Sequence, residues 1–263
     1  MLPSLFVSHG APTFPLTDAP ARAFLEGYAD KLAVVPKAIL VISAHWETTR
    51  PTVNTAAVNA TIHDFHGFPR ALYDIRYPAA GSPWLVDRVA DLLDTDSLAV
   101  SRDAGRGLDH GAWVPLRLLF PNADVPVVQL SVETSKGPAY HYRIGQSLAP
   151  LRNEGVLIVG SGSFTHDLSS FGEYYHALHA PAPDWVDAFA DWMSIAIEQE
   201  RIKDLLNYRE AAPFARRNHP TEEHLLPLFV AMGAADSHHP EHLHSSTTHG
   251  VLRMDAFAFG ETA

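Results

Sequence analysis

The sequence predicts an α/β protein with a mostly parallel central sheet flanked by helices and an antiparallel strand at its C-terminal edge. The clearest reason is Ile39-Leu40-Val41-Ile42, an aliphatic run rich in β-branched residues that reads as a strand covered on both faces. Similar runs at Leu5-Phe6-Val7 and Val156-Leu157-Ile158-Val159 alternate with segments of helical spacing. Finally, 263 residues with 46% hydrophobic content can bury one full core, and no linker, repeat or low-complexity tract divides the chain. Residues 1–263 are therefore expected to form a single domain.

In order, Leu5-Phe6-Val7 breaks at Ser8-His9-Gly10-Ala11-Pro12, so the first strand ends on a histidine and a turn. Ala21, Phe24, Leu25, Tyr28 and Leu32 fall at helical spacing and predict a crossover helix from about Pro20 to Leu32, completing a βαβ unit. The next strand delivers His45 at its carboxyl end, where open α/β sheets place their ligands. Thr61 to Pro69, with His63, Asp64, Phe65 and Phe68, reads as a structured loop. A helix from about Pro83 to Leu93 carries Trp84, Leu85, Val89, Leu92 and Leu93 as its apolar stripe. The glycines flanking Leu108-Asp109-His110 predict a tight loop that presents His110.

Val125 to Ser131 is a third strand, with Pro126 tolerated near its start. A helix from about Ala139 to Leu151 leads to the fourth, Gly155 to Gly160, which runs into Ser161-Gly162-Ser163-Phe164-Thr165-His166-Asp167. Asp184 is expected to cap a helix with Trp185, Phe189, Trp192 and Ile195 or Ala196 as its stripe. Thr221 is expected to cap another, with His224 in its first turn, where the positive helix end keeps an imidazole neutral. Ser246 to Phe259 reads as the edge strand.

Composition narrows the function. With 19 Lys plus Arg against 30 Asp plus Glu, a formal charge of −11 and no basic cluster, nucleic acid and anionic membranes are poor partners. No signal-like N-terminus or membrane-length apolar run is seen, so a soluble cytoplasmic protein is the expectation. Cysteine is absent, so a metal site would be built from imidazole and carboxylate, and 16 histidines are available.

His9, His45 and His166 follow three separate buried strands, and with His224 they should meet at one edge of the sheet, which favours a mononuclear metal site. Glu222 reads as a carboxylate favouring the helix dipole, while Glu223 stays a candidate ligand. His238, His239, His242 and His244 read as a solvated loop around Pro240 rather than a metal tract. Asp64 and Asp167 either orient neighbouring imidazoles or cap turns. Ser161-Gly162-Ser163 has the glycine spacing of neither a nucleophile elbow nor a phosphate loop.

Together, Ser8-His9-Gly10-Ala11-Pro12, Ser43-Ala44-His45-Trp46, Ile62-His63-Asp64-Phe65, Asp109-His110-Gly111, Thr165-His166-Asp167 and Pro220-Thr221-Glu222-Glu223-His224 resemble, in this order, the class III extradiol ring-cleaving dioxygenases. The likeness is to the DOPA 4,5-dioxygenase branch, related to the catalytic subunit of protocatechuate 4,5-dioxygenase. It implies a single catalytic domain and a non-haem metal held by His9, His45 and a third ligand, His224 in this branch where the wider class uses glutamate. It also implies a small catechol and O2 as substrates, with Fe(II) for activity and Zn(II) suited to the same all-histidine site. His166 is then the candidate general acid and base, with a fourth-ligand role as its rival, and His110 hydrogen-bonds bound oxygen or a substrate oxygen. Trp46, Phe65, Phe68, Trp113 and Phe164 could line a flat apolar pocket, and Ser161 to Pro183 could act as a lid. A zinc hydrolase and a catalytically silent module of the same fold stand as alternatives, and the oligomeric state, a homo-oligomer included, is open.

Overall fold

The computed structural model describes residues 1–235 and 239–260. Its strands are β1 (Ser4–Ser8), β2 (Ala38–Glu47), β3 (Thr52–Asn54), β4 (Ser101–Asp103), β5 (Val127–Val132), β6 (Val156–Gly162), β7 (Glu241–His244), β8 (Thr247–Thr248), β9 (Leu252–Arg253) and β10 (Ala256–Phe259). Eight form one sheet in the order β4-β3-β5-β2-β6-β1-β10-β7, and β8 pairs with β9 separately. The central neighbours β5, β2, β6 and β1 are all parallel. β10 runs antiparallel to β1 and β7 antiparallel to β10, so the expected C-terminal edge is two strands wide. The expected βαβ unit is a wider crossover, because β6 lies between β1 and β2.

The long helices are α1 (Pro20–Tyr28), α2 (Pro83–Thr95), α3 (His110–Leu119), α4 (Gly137–Leu148), α5 (Leu168–Tyr174), α6 (Asp184–Glu198) and α7 (Leu226–Gly233). Strand alternation sends Ile39, Val41, Leu157 and Val159 into one core with α1 and α3, and Leu40, Ile42 and Ile158 into the other with α4, α6 and α7. Both faces are thus covered, which is why the strands read as unbroken aliphatic runs.

Four expectations change. His110 opens helix α3, whose N-cap is Asp109: the carboxylate accepts from Ala112 N, and Pro115 and all-round burial hid the helical pattern. His224 sits in a turn before α7 rather than in its first turn, and Thr221 caps nothing, its hydroxyl donating to Glu223 instead. Pro183, not Asp184, is the N-cap of α6, and Asp184 is its first residue. His242 and His244 lie in β7 rather than a solvated loop: His242 bonds buried Asp255 at 2.9 Å and stacks on Phe257, and His244 bonds Ser246. His238 lies outside the described residues. On α2 the stripe is narrower than expected, with Trp84 exposed, and on α6 it is Ala196, not the exposed Ile195, that completes it.

Candidate metal centre

The carboxyl ends of β1, β2 and β6 lie side by side, and this edge gathers the histidines. His9 follows β1, and its N–H donates to Gly162 O at 2.9 Å, at the end of β6. Across the same strand end, Ser163 N donates to His224 O at 2.9 Å. This approach needs Gly162, where a Cβ would overlap the His224 carbonyl. His45 projects from β2, and His110 from the first residue of α3. His166 is fixed by its N–H to Asn218 O at 2.9 Å.

All five imidazoles line one cleft of about 350 Å3. Within it, His45 Nε2 lies 3.1 Å from His9 Nε2 and 3.2 Å from His224 Nε2. Ser161 settles the His9 tautomer. Its hydroxyl donates to the Gly111 carbonyl, so it accepts from His9 Nδ1 at 3.1 Å, leaving the His9 Nε2 lone pair free. The carboxylate of Glu223 does the same for His224, accepting from Nδ1 at 3.1 Å while Thr221 holds its Oε1 at 2.8 Å. The Nδ1 of His45 faces Asp64 Oδ2 at 3.8 Å.

Burial keeps these rings neutral. Desolvation, reinforced by the neighbouring imidazoles, holds His9 and His224 well below the usual histidine range. Desolvation with His110 lowers His45 to about 4, and desolvation with His219 and His45 lowers His166 to about 3. Three neutral imidazoles therefore turn Nε2 toward one another, an arrangement that a cation accepting their lone pairs suits. The donor set, three Nε2 with hydrogen-bonded Nδ1 partners behind those of His9 and His224, fits a first-row divalent metal.

The flanking groups are equally ordered. The Oδ1 of Asp64 accepts the His110 backbone N–H at 2.9 Å and lies 2.9 Å from its Nδ1. Burial works to raise this carboxyl, but the His110 contacts prevail and hold it at about 2. His166 stacks on His224, with centroids 3.4 Å apart and planes 11° apart. Among the described residues its ring makes no hydrogen bond. Asp167 is a cap, accepting from Ser169 and Ser170 at the start of α5. His63 holds its loop, with Nε2 3.2 Å from Ile75 O, and stands outside the cleft.

Of the aromatics expected in the wall, Phe68 is there, whereas Trp113 and Phe164 are fully buried in the core. Leu168 and Phe171 of α5 and Leu252 of β9 complete the wall. Leu168 and Phe171 fall in the segment expected as a lid, but individually all three carried no sequence signal beyond being apolar. Asp109 was also undervalued: fully buried, it accepts from Ser43 at 2.6 Å and from Arg106 at 2.6 Å beneath His45. Its place directly before His110 was the available signal.

A family model described as the catalytic LigB subunit of aromatic ring-opening dioxygenase matches residues 3–256. The chain belongs to this family of metal-dependent enzymes, which makes it an extradiol, ring-opening dioxygenase acting on a small aromatic with O2. Among curated relatives, it is 44% identical to the 4,5-DOPA dioxygenase extradiol of Beta vulgaris, over 98% of this chain and 97% of that one. It is 39% identical to the protein so named in Mirabilis jalapa, covering 98% and 96%, and 37% to that of Escherichia coli K12, covering 91% and 87%. The crystal structure of an uncharacterised Escherichia coli K12 protein superposes with a TM-score of 0.82 at 31% identity, covering 99% of this chain and 100% of that one. No described helix is long and apolar enough to cross a membrane.

Proposed function

We propose that the chain acts as one catalytic domain that opens a DOPA-like catechol next to its diol, with Fe(II) held by His9, His45 and His224. The observation that carries the ligand assignment is the convergence of three ring nitrogens, His45 Nε2 lying 3.1 Å from His9 Nε2 and 3.2 Å from His224 Nε2, with the His9 and His224 tautomers fixed by Ser161 and Glu223. Zn(II) suits the same donors and is expected to compete for them. When bound, iron supplies the one chemistry the side chains lack, passing electron density from a chelated catecholate to O2.

The side chains do the rest. His166, neutral, stacked on His224 and without a ring hydrogen bond among the described residues, takes the proton of a catechol hydroxyl on one of its ring nitrogens and returns it as the ring opens. His110, braced by Asp64 at Nδ1, turns Nε2 toward the cleft to hydrogen-bond an oxygen of the reacting pair. The apolar wall excludes water while the carbon–carbon bond beside the diol breaks and both oxygen atoms enter the product.

The test is oxygen uptake by anaerobically Fe(II)-loaded protein given a panel of catechols, with absorbance followed for a yellow ring-opened semialdehyde. Uptake matched by product in the wild type, and lost in His166→Ala with metal retained, is expected. No uptake at one iron per chain would overturn the reading.

A further inference from the structure

We infer that His219 is a positioning residue for ring opening: its buried imidazole clips the loop carrying His166 to the segment that ends in His224, and so sets how the acid and base stacks on the metal ligand. The inference rests on the roles given to His166 and His224 above. The 163–166 loop leaves β6, the 218–224 segment leads toward α7, and backbone bonds join the two at each end. Ser163 N donates to His224 O at 2.9 Å, and His166 N to Asn218 O at 2.9 Å. Between these, His219 Nε2 stands 3.0 Å from Phe164 O. A carbonyl only accepts, so Nε2 carries the proton and donates. Of these contacts, it is the one that a side-chain substitution removes.

The bond at Nε2 is what explains an imidazole here. His219 is fully buried among aromatic rings, with the Phe189 and Tyr208 centroids 5.5 and 6.3 Å away. Its Nδ1 has no hydrogen-bond partner among the described residues. A buried nitrogen left unpaired is costly, and an apolar side chain would avoid that cost. Burial lowers His219 to about 4, against the bond to Phe164, so the ring is neutral at ordinary pH and puts no charge beside His166. Arg209 fixes the backbone behind the ring, donating to His219 O at 2.9 Å. On the other side of the loop, the Thr165 hydroxyl donates to Val251 O at 2.8 Å and accepts from Arg253 N at 2.9 Å. Without the clip the loop therefore stays attached through Thr165 and the backbone bonds, but the Phe164 carbonyl loses its His219 donor. Relaxation there tilts His166, two residues on, away from its 3.4 Å stack on His224. A displacement of about 1 Å at a reacting group costs about 100-fold in rate.

The experiment compares His219→Leu, His219→Asn and His219→Gln in the full chain. A glutamine amide reaches the place of Nε2 and can donate to Phe164 O, whereas an asparagine amide stops at the place of Nδ1. For each Fe(II)-loaded variant, kcat and KM per bound iron are measured with L-DOPA and 4-methylcatechol, beside metal affinity by chelator competition and a thermal melt. NMR of the zinc-loaded chain without substrate reads the His166 ring protons, which the stacked His224 ring shifts. In His219→Leu and His219→Asn, kcat is expected to fall about 10–100-fold, with KM and metal affinity within about threefold of wild type. The His166 signals should move in both and return in His219→Gln, together with the rate. A kcat per bound iron within about twofold of wild type in His219→Asn, or a glutamine variant as slow as the asparagine one, would overturn the inference whatever the melting temperature. If the wild type itself opens no ring, the extradiol reading fails alone and the NMR comparison still decides the clip: His166 signals unmoved in His219→Asn would overturn it.

Discussion

Gly111 follows His110 in the first turn of α3, where the helix passes close against the end of β2. A Cβ built there overlaps Ser43 Oγ and comes within 2.8 Å of His45 Cδ2. Ser43 cannot easily swing aside, because its hydroxyl donates to Asp109 Oδ1 at 2.6 Å in the same network that caps the helix. Gly111→Ala must therefore push the His45 ring. Overpacking of this kind costs about 1–3 kcal/mol, offset by about 1 kcal/mol of helix propensity. The net loss of about 0–2 kcal/mol should lower the melting temperature by no more than about 8 °C. Metal binding should suffer more, because His45 Nε2 is the middle nitrogen of the three and stands 3.1 and 3.2 Å from the other two. A fall in Fe(II) or Zn(II) affinity of about tenfold or more is expected, measured by chelator competition beside a thermal melt. Affinity within twofold of wild type, with an unchanged melt, would refute the close approach of Gly111 to His45.

Three further outcomes are expected. Glu223→Gln keeps the size of the side chain but weakens the hold on His224 Nδ1, so metal affinity should drop about 10–100-fold with the fold intact by circular dichroism. Asp64→Asn removes the carboxylate that braces His110, so kcat should fall on the order of 100-fold while chelator competition shows a much smaller change in metal affinity. The metal-free chain should lose stability in acid. His45, His141 and His219 are lowered to about 4 and His166 to about 3, each by desolvation first, from an ordinary value of 6.5. The unfolded chain therefore binds more protons than the folded one between these values. Stability should be full above pH 6.5 and fall progressively toward pH 4, and a melting temperature independent of pH across that window would contradict the neutral burial of these rings.

The strands that build the site were legible for a simple physical reason. β1, β2 and β6 are buried on both faces, so their sequences are aliphatic throughout and the histidines at their ends stand out. His9, His45 and His166 were named from that pattern, His224 from a helix start, and His110 from a glycine-flanked loop and the ordered motifs around it. Elements with weaker periodicity escaped. β3 and β4 are three residues each, too short to show alternation. Helix α3 has almost every residue buried and contains Pro115, so it has no polar face to mark its period. The tautomers of His9 and His224 were also invisible, since Ser161 and Glu223 act only once β6 and the turn before α7 are brought together in space. The cleft wall is a similar case: Leu168 and Leu252 are ordinary leucines until the fold sets both over the same histidines.

The most direct test of ring opening at the three-histidine centre is a single turnover of Fe(II)-loaded protein with a catechol under 18O2, quenched rapidly and analysed by mass spectrometry. One heavy oxygen in the new carboxylate, none when the label is supplied as water, and no product from His45→Ala are expected. A labelled carboxylate derived from water, or an unlabelled product formed equally well with zinc and without O2, would contradict dioxygenase chemistry at this site.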